Sequence, residues 1–309
     1  MTTRLIGSRL AGSGLTLLRQ GLLLVAIAVA VFALMRVVPG DVVDAMAMEG
    51  SLDEEAVAAL RADLGRDAGM VTQFRIWLVR ALGGDLGLSL RFDRPVAELI
   101  LAALPTTLAL GALALAVGLA LGIALPTAAV LWPRSPLPAL VEAVNLWSIA
   151  LPTFCVGLAG ILVFSVWLGW LPVIGQMLLP VLILGIDNAG QIAKPLHEDL
   201  KEAATAAHIR TARAKGLSPA RIVLRHLLPN AMTTVVALGG MMLAGLIGGT
   251  LTMEVLFGLP GLGTLAYQAV SGRDYPVIQA VVMVFAAGVV AVNLLADQVQ
   301  LMLDPRLRR

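Results

Sequence analysis

The chain has 309 residues, 59% hydrophobic and 14% charged, with a mean hydropathy of +0.90, whereas soluble domains carry roughly 45–50% apolar and about 25% charged residues. That balance excludes an ordinary soluble domain and makes the chain an integral membrane protein. A net charge of +2, from 22 basic and 20 acidic residues, leaves no bulk positive field for nucleic acid, and the single cysteine, Cys155, excludes an internal disulfide.

A spanning helix needs about 20 predominantly apolar residues. Arg4, Arg9 and Arg19 precede a charge-free run at 20–35; a signal peptide has the same polarity, but no small-residue cleavage site follows, which predicts a retained first span. In the outer loop that follows, Ser51 and Glu54 form a capping box and Gly65 a helix stop. The stretch VTQFRIWLVRAL then places Phe74, Trp77, Leu78 and Ala81 on one face of a second helix, ended by Gly83-Gly84. That helix either caps the outer face or lies on the lipid surface.

Residues 99–133 carry no charge and predict a second span at about 105–131. From Ala143 to Ile186 another 44 residues are charge-free, too many for one crossing, and Gly169-Trp170-Leu171-Pro172 predicts a tight turn between two helices. Cys155 lies in this run, which predicts a core position. Charge-free runs at 227–253 and 275–296 bring the expectation to an all-α fold of six spans.

Orientation follows the distribution of Lys and Arg among short loops. Residues 1–19, the 132–142 link, the 194–226 loop and the tail hold fourteen of the basic residues, while the 38–104 loop sets six Arg against eleven acids. Both termini are therefore expected in the cytoplasm. The expected division is an N-terminal tail and first span (1–37), an extracytoplasmic helical loop (38–104), a core of spans (105–303) containing a cytoplasmic loop at 194–228, and a basic tail (304–309).

Within that loop, RTARAKGLSPARIVLRHLLPNA (210–231) has five basic residues and no acid. Gly216 suits the left-handed position past a helix end; Ser218 can cap a new helix with Pro219 at its first position. The prediction is a helix over about 199–215, a sharp corner, and a second helix towards Leu228, with Pro229 kinking or breaking it before the next span. Arg210, Arg213 and Lys215 sit favourably at the negative end of the first helix. Physics leaves two uses open: a basic loop resting on anionic headgroups, or a rigid elbow fitting a cleft in a soluble partner.

The elbow resembles the loop signature of the membrane subunits of ATP-binding cassette (ABC) importers. Gly216 is followed at the family spacing by Leu228-Pro229, and the residues that align with the family's Glu-Ala-Ala are Arg210-Thr211-Ala212, not the literal Glu202-Ala203-Ala204. RTARAKGLS is similar to the oligopeptide, dipeptide and nickel permease branch, although His226 stands where an aliphatic residue is usual. Further similar segments are Pro39-Gly40-Asp41, GGDLGLSLRFDRPVAELI (83–100), LPTTLAL (104–110), EVLFGLPGLG (254–263), RDYPVIQ (273–279) and DPRLRR (304–309). LGRDAGMVTQF departs from the family's usual outer-loop run, and the short connection between the third and fourth spans looks closer to nickel-type members.

The resemblance implies a type I ABC importer permease in the bacterial inner membrane, working by alternating access for di- or oligopeptides, with nickel or a metal chelate as the alternative. It implies a second similar permease, two ATPase subunits carrying ATP and Mg, a solute-binding protein outside, and surrounding lipid; no nucleic acid is expected. Arg210, Thr211, Ala212, Arg213, Lys215, Gly216, Leu217, Ser218 and Pro229 would couple to the ATPase. No G-x-x-x-x-G-K-[ST] occurs, so the chain is expected to hold no nucleotide or other cofactor and to be no enzyme itself.

Three further features are candidates for the pathway. Asp187, the one acid inside an apolar span, suits a solvated or paired carboxylate or an ion ligand; the latter would make the chain an ion-coupled secondary transporter, and a non-transporting scaffold is the remaining rival. Glu254 and Gly261 flank the turn where the resemblance implies a re-entrant, gate-lining segment. Gly239, Gly240, Gly245, Gly248 and Gly249 predict close helix packing. His197, His208 and His226 have no chelating spacing, so no metal site is expected.

Overall fold

The computed structural model describes residues 2–37, 69–89 and 91–303. The capping box at Ser51 and Glu54, Gly65, Pro39-Gly40-Asp41 and the tail arginines Arg306, Arg308 and Arg309 lie outside the described residues.

Helices dominate, because apolar runs removed from water must satisfy their backbone groups internally. They are α1 (Thr2–Val37), α2 (Met70–Leu82), α3 (Val96–Leu131), α4 (Leu137–Ala150), α5 (Thr153–Gly160), α6 (Leu178–Ala203), α7 (Ala207–Ala214), α8 (Pro219–Ile222), α9 (Leu228–Gly249), α10 (Leu251–Leu256), α11 (Leu262–Ser271) and α12 (Tyr275–Leu303). π-helical segments extend α5 (Ile161–Trp167) and join α8 to α9 (Val223–Leu227). An antiparallel pair of two-residue strands, β1 (Leu88–Ser89) and β2 (Arg94–Pro95), precedes α3. The fold is thus mostly rather than wholly helical.

Among the described residues, four stretches are long and apolar enough to cross a membrane: Leu18–Met35, Val96–Leu131, Pro219–Leu243 and Tyr275–Leu295. The bent pair of α4 with α5 and its π extension makes a fifth. The expected tight turn is instead a non-helical connection over 168–177, with Gly169 at φ +63° and Gly175 at φ +79°. A second break, unforeseen, bends the chain by 104° between Ala150 and Thr153. Pro152 causes it by forcing Leu151 out of the helical region, to φ −111°, ψ 120°. The helix after the turn runs on to Ala203, through Asp187, Gly190, Lys194 and Pro195.

The chain divides into two compact units. The first comprises Met1–Leu104 and Thr264–Val290. In it Phe32 of α1 meets Phe74 and Trp77 of α2 with ring centroids 5.3 and 5.9 Å apart, so the apolar face of α2 is spent on α1. The strand pair is tied at its turn: Ser89 Oγ donates to Asp274 and accepts from the Phe92 amide at 3.0 Å.

The second unit comprises Pro105–Gly263 and Ala291–Arg309. Here α6 is the central element, packed by α4, α5 and α9. Close approach depends on glycines other than the predicted row. A methyl group at Gly185 would stand 2.6 Å from Val117 Cγ1, at Gly118 2.5 Å from Asn188 Cβ, and at Gly122 2.9 Å from Ile192 Cβ, so α3 and α6 touch backbone to side chain. Gly245, Gly248 and Gly249 have open space instead, which corrects the packing expected of them. Cys155 is exposed, not core: an apolar run does not reveal which side faces protein and which faces lipid. Leu108, Leu146, Ile149, Phe154 and Leu158 are likewise exposed, as in a chain whose outer solvent is hydrocarbon.

Candidate functional site

The elbow begins where α6 ends. Ala203 closes α6, and amides of Ala204, Thr205 and Ala206 bond back at 3.0–3.1 Å before α7 starts at Ala207. The predicted first arm over 199–215 is therefore two helices, parted at Ala206, whose backbone is extended at φ −62°, ψ 147°. At the end of α7 the Leu217 amide donates to the Ala212 carbonyl at 3.3 Å and the Gly216 amide to the Arg213 carbonyl at 2.9 Å, a Schellman closure. Gly216 adopts φ +77°, which a side chain rarely tolerates, although the space around it is open. Ser218 Oγ accepts from the Arg221 amide at 3.4 Å, with Pro219 opening α8.

The elbow presents a basic outer face over an apolar inner one. Arg210, Thr211, Arg213, Lys215, Gly216, Ser218 and Pro229 are exposed, Leu217 is half-buried and Ala212 is buried. Ile209 and Ala212 pack with Leu196 and Leu200 of α6 and with Ile222, Val223 and Leu227. Each Leu, Ile or Val side chain so withdrawn from water contributes about 1.5–3 kcal/mol. Pro229 does not break the helix, which runs on as one span over Pro219–Leu243. It lacks the N–H that a regular turn would need, and the π-helical turns just before it absorb the mismatch, so α8, the π segment and α9 are contiguous.

Sequence patterning missed the polar ties that hold α6. Thr234 Oγ1 on α9 donates to Asp199, Lys194 Nζ donates to Glu142 of α4 at 2.7 Å, and Asn145 Nδ2 of α4 donates to the Gly190 carbonyl at 3.1 Å. His197, buried on α6, has its pKa lowered, chiefly by desolvation and then by nearby Lys201. No group of three or more metal-ligating side chains occurs among the described residues.

Two of the quoted segments meet at α11. Glu254, fully buried on α10, accepts from the Gly263 amide at 2.6 Å, while Thr107 of α3 accepts from the Leu262 amide at 2.8 Å. LPTTLAL and EVLFGLPGLG thus supply side chains that satisfy two otherwise orphan donors at a helix start. A Cβ at Gly261 would collide with the Glu254 carboxylate, and one at Gly263 would stand 2.5 Å from Leu251 Cα. Asp187 is elsewhere, half-buried on α6, where it accepts from Gln191 Nε2 at 3.1 Å.

Apolar helices of spanning length with a basic, sharply capped elbow mark a multi-pass membrane protein, and the sequence comparisons place it in the transport class. Residues 116–309 match the family described as binding-protein-dependent transport system inner membrane component. A Brucella abortus (strain 2308) protein named for a peptide transport system permease is 33% identical over 91% of this chain and 94% of its own length. The glutathione transport system permease protein of Salmonella typhimurium is 34% identical over 92% and 94%. A chain of the MetNI methionine ABC transporter, solved in inward-facing conformations, superposes with a TM-score of 0.55 at 24% identity, over 67% of this chain and 97% of that one. The chain belongs to the family of binding-protein-dependent transport system inner membrane components, the permease subunits of ABC importers.

Proposed function

We propose that the chain is the permease subunit of a bacterial inner-membrane importer for short peptides, and that its elbow receives the work of ATP hydrolysis carried out on partner ATPase subunits. Relatives named for peptide and glutathione transport, similar along nearly the whole chain, support a peptide substrate over nickel. The complete assembly has a second similar permease, two ATPases holding ATP and Mg, and an external solute-binding protein. In this reading the chain crosses six times with both termini inside. α6 makes one crossing, and the bent α4–α5 pair and its π extension make another. The division into residues 1–37, 38–104, 105–303 and 304–309 has its cytoplasmic loop at 194–228.

The observation that carries the reading is the capped elbow, basic outside and bolted by Ile209 and Ala212 onto α6. Closure of the ATPase pair displaces α7 and α8, α6 follows through its apolar contacts, and the spans tilt between inward-open and outward-open states. Arg210, Thr211, Arg213, Lys215, Gly216, Leu217, Ser218 and Pro229 form or shape the surface that is pushed; Glu254 and Gly261 hold a gate turn. The test is ATP-dependent peptide uptake by proteoliposomes. The full assembly is expected to accumulate a labelled dipeptide, and the chain alone to accumulate none even with an ion gradient. Uptake by the chain alone would instead establish an ion-coupled carrier.

A further inference from the structure

A cleft of about 350 Å3 opens within the second unit, inside the usual range for a small-ligand pocket, roughly 300–1,000 Å3. Its polar side comes from one turn of α6, where Asp187, Asn188 and Gln191 follow each other around the helix. Met241 and Met242 of α9 line it as well, and thioether chains adapt to varied shapes. Thr250, at the start of α10, completes it; this residue is 1% exposed, yet its hydroxyl has no hydrogen-bond partner. A buried hydroxyl left unpaired is costly and calls for a partner that the chain does not supply.

Asp187 presents the matching problem in charge. Its carboxylate accepts one bond, from Gln191, and among the described residues no cation pairs with it. A lone carboxylate in an otherwise apolar span is expensive, and a ligand cation relieves that cost. The donor set narrows the ligand: one carboxylate flanked by amides and a hydroxyl suits an ammonium with neighbouring amide groups, not a bare metal ion, which prefers several imidazoles, thiolates or carboxylates.

We propose that this cleft binds the protonated amino terminus of a short peptide, with Asp187 as its counter-ion, Asn188 and Gln191 bonding the first peptide group, and Thr250 completing the polar contacts. The assignment rests on the peptide reading above and adds a contact site within this chain to it. Amino-terminal recognition then occurs in the permease itself and not only in the external binding protein.

The experiment uses the assembled membrane complex of both permeases and both ATPases in nanodiscs, without the binding protein, and measures equilibrium binding of dialanine and of N-acetyl-dialanine. Wild type is expected to bind the free-amino form about tenfold more tightly, the loss expected for one charge-assisted hydrogen bond. Asp187→Asn is expected to bind both forms alike, Asp187→Glu to regain part of the preference, and Thr250→Val to weaken both forms equally. A parallel uptake assay with the binding protein present separates the two claims. If wild type takes up no dialanine, the peptide reading itself fails. If uptake occurs but wild type shows no preference, or the preference survives in Asp187→Asn, the cleft assignment is overturned and the peptide reading stands.

Discussion

Gly216 shows how one residue sets the shape of the elbow. Its φ of +77° closes the end of α7, and nothing lies within 4 Å of the position a Cβ would take, so only backbone strain opposes substitution. A left-handed conformation costs a non-glycine residue roughly 1–2 kcal/mol, more for a β-branched one. Gly216→Val is therefore expected to lower uptake per ATP hydrolysed by on the order of tenfold while the protein inserts normally, read from paired uptake and phosphate-release assays. His197 makes a different kind of prediction. Its folded pKa lies below the ordinary value of about 6.5, so the unfolded chain binds more protons just under that pH and stability is lost as pH falls through the interval between the two values. A melting-temperature series in detergent from pH 7.5 to 5 is expected to decline below about 6.5, and His197→Gln to flatten that part of the decline.

At the scale of elements, α6 links what the rest of the unit does. Ties from Glu142, Asn145 and Thr234 fix it to α4 and α9, and Ile209 fixes α7 to it. Within the bilayer such packing gains nothing from expelling water, but the cluster around Ile209 is expected outside the bilayer, where burial does drive it. Ile209→Ala is accordingly expected to destabilise the elbow by about 2–5 kcal/mol, measured as increased hydrogen exchange or proteolysis confined to about 204–222. The turn chemistry at Gly216, Ser218 and Pro219 was legible in the sequence because each residue type has a narrow set of backbone uses. The break at Pro152 was equally legible in principle, by the rule that the residue before proline avoids the helical region. Which helix face met protein was not, since lipid and core select the same side chains. Cys155 and the open Gly245–Gly249 row illustrate this, as does the actual contact through Gly118, Gly122 and Gly185.

At the scale of the whole molecule, solvent separates two regions: a helical body whose apolar side chains face outward, and a basic elbow that packs an apolar inner face and exposes its charges. Neither region is informative without the other, because a composition of 59% hydrophobic residues describes any helical membrane protein, and a basic loop alone fits anionic headgroups as well as an ATPase. Glu254 and Thr107 could not be paired from sequence, being 147 positions apart and joined only through the amides of Leu262 and Gly263. The central claim is that the 210–218 elbow docks into an ATPase subunit on the cytoplasmic side. Cysteine cross-linking from Lys215→Cys, in a Cys155→Ser background within the assembled importer, tests it most directly. The account predicts a cross-link to the ATPase and protection from an impermeant maleimide added outside intact cells; labelling from outside, or an assembled importer that yields no such cross-link, would contradict it.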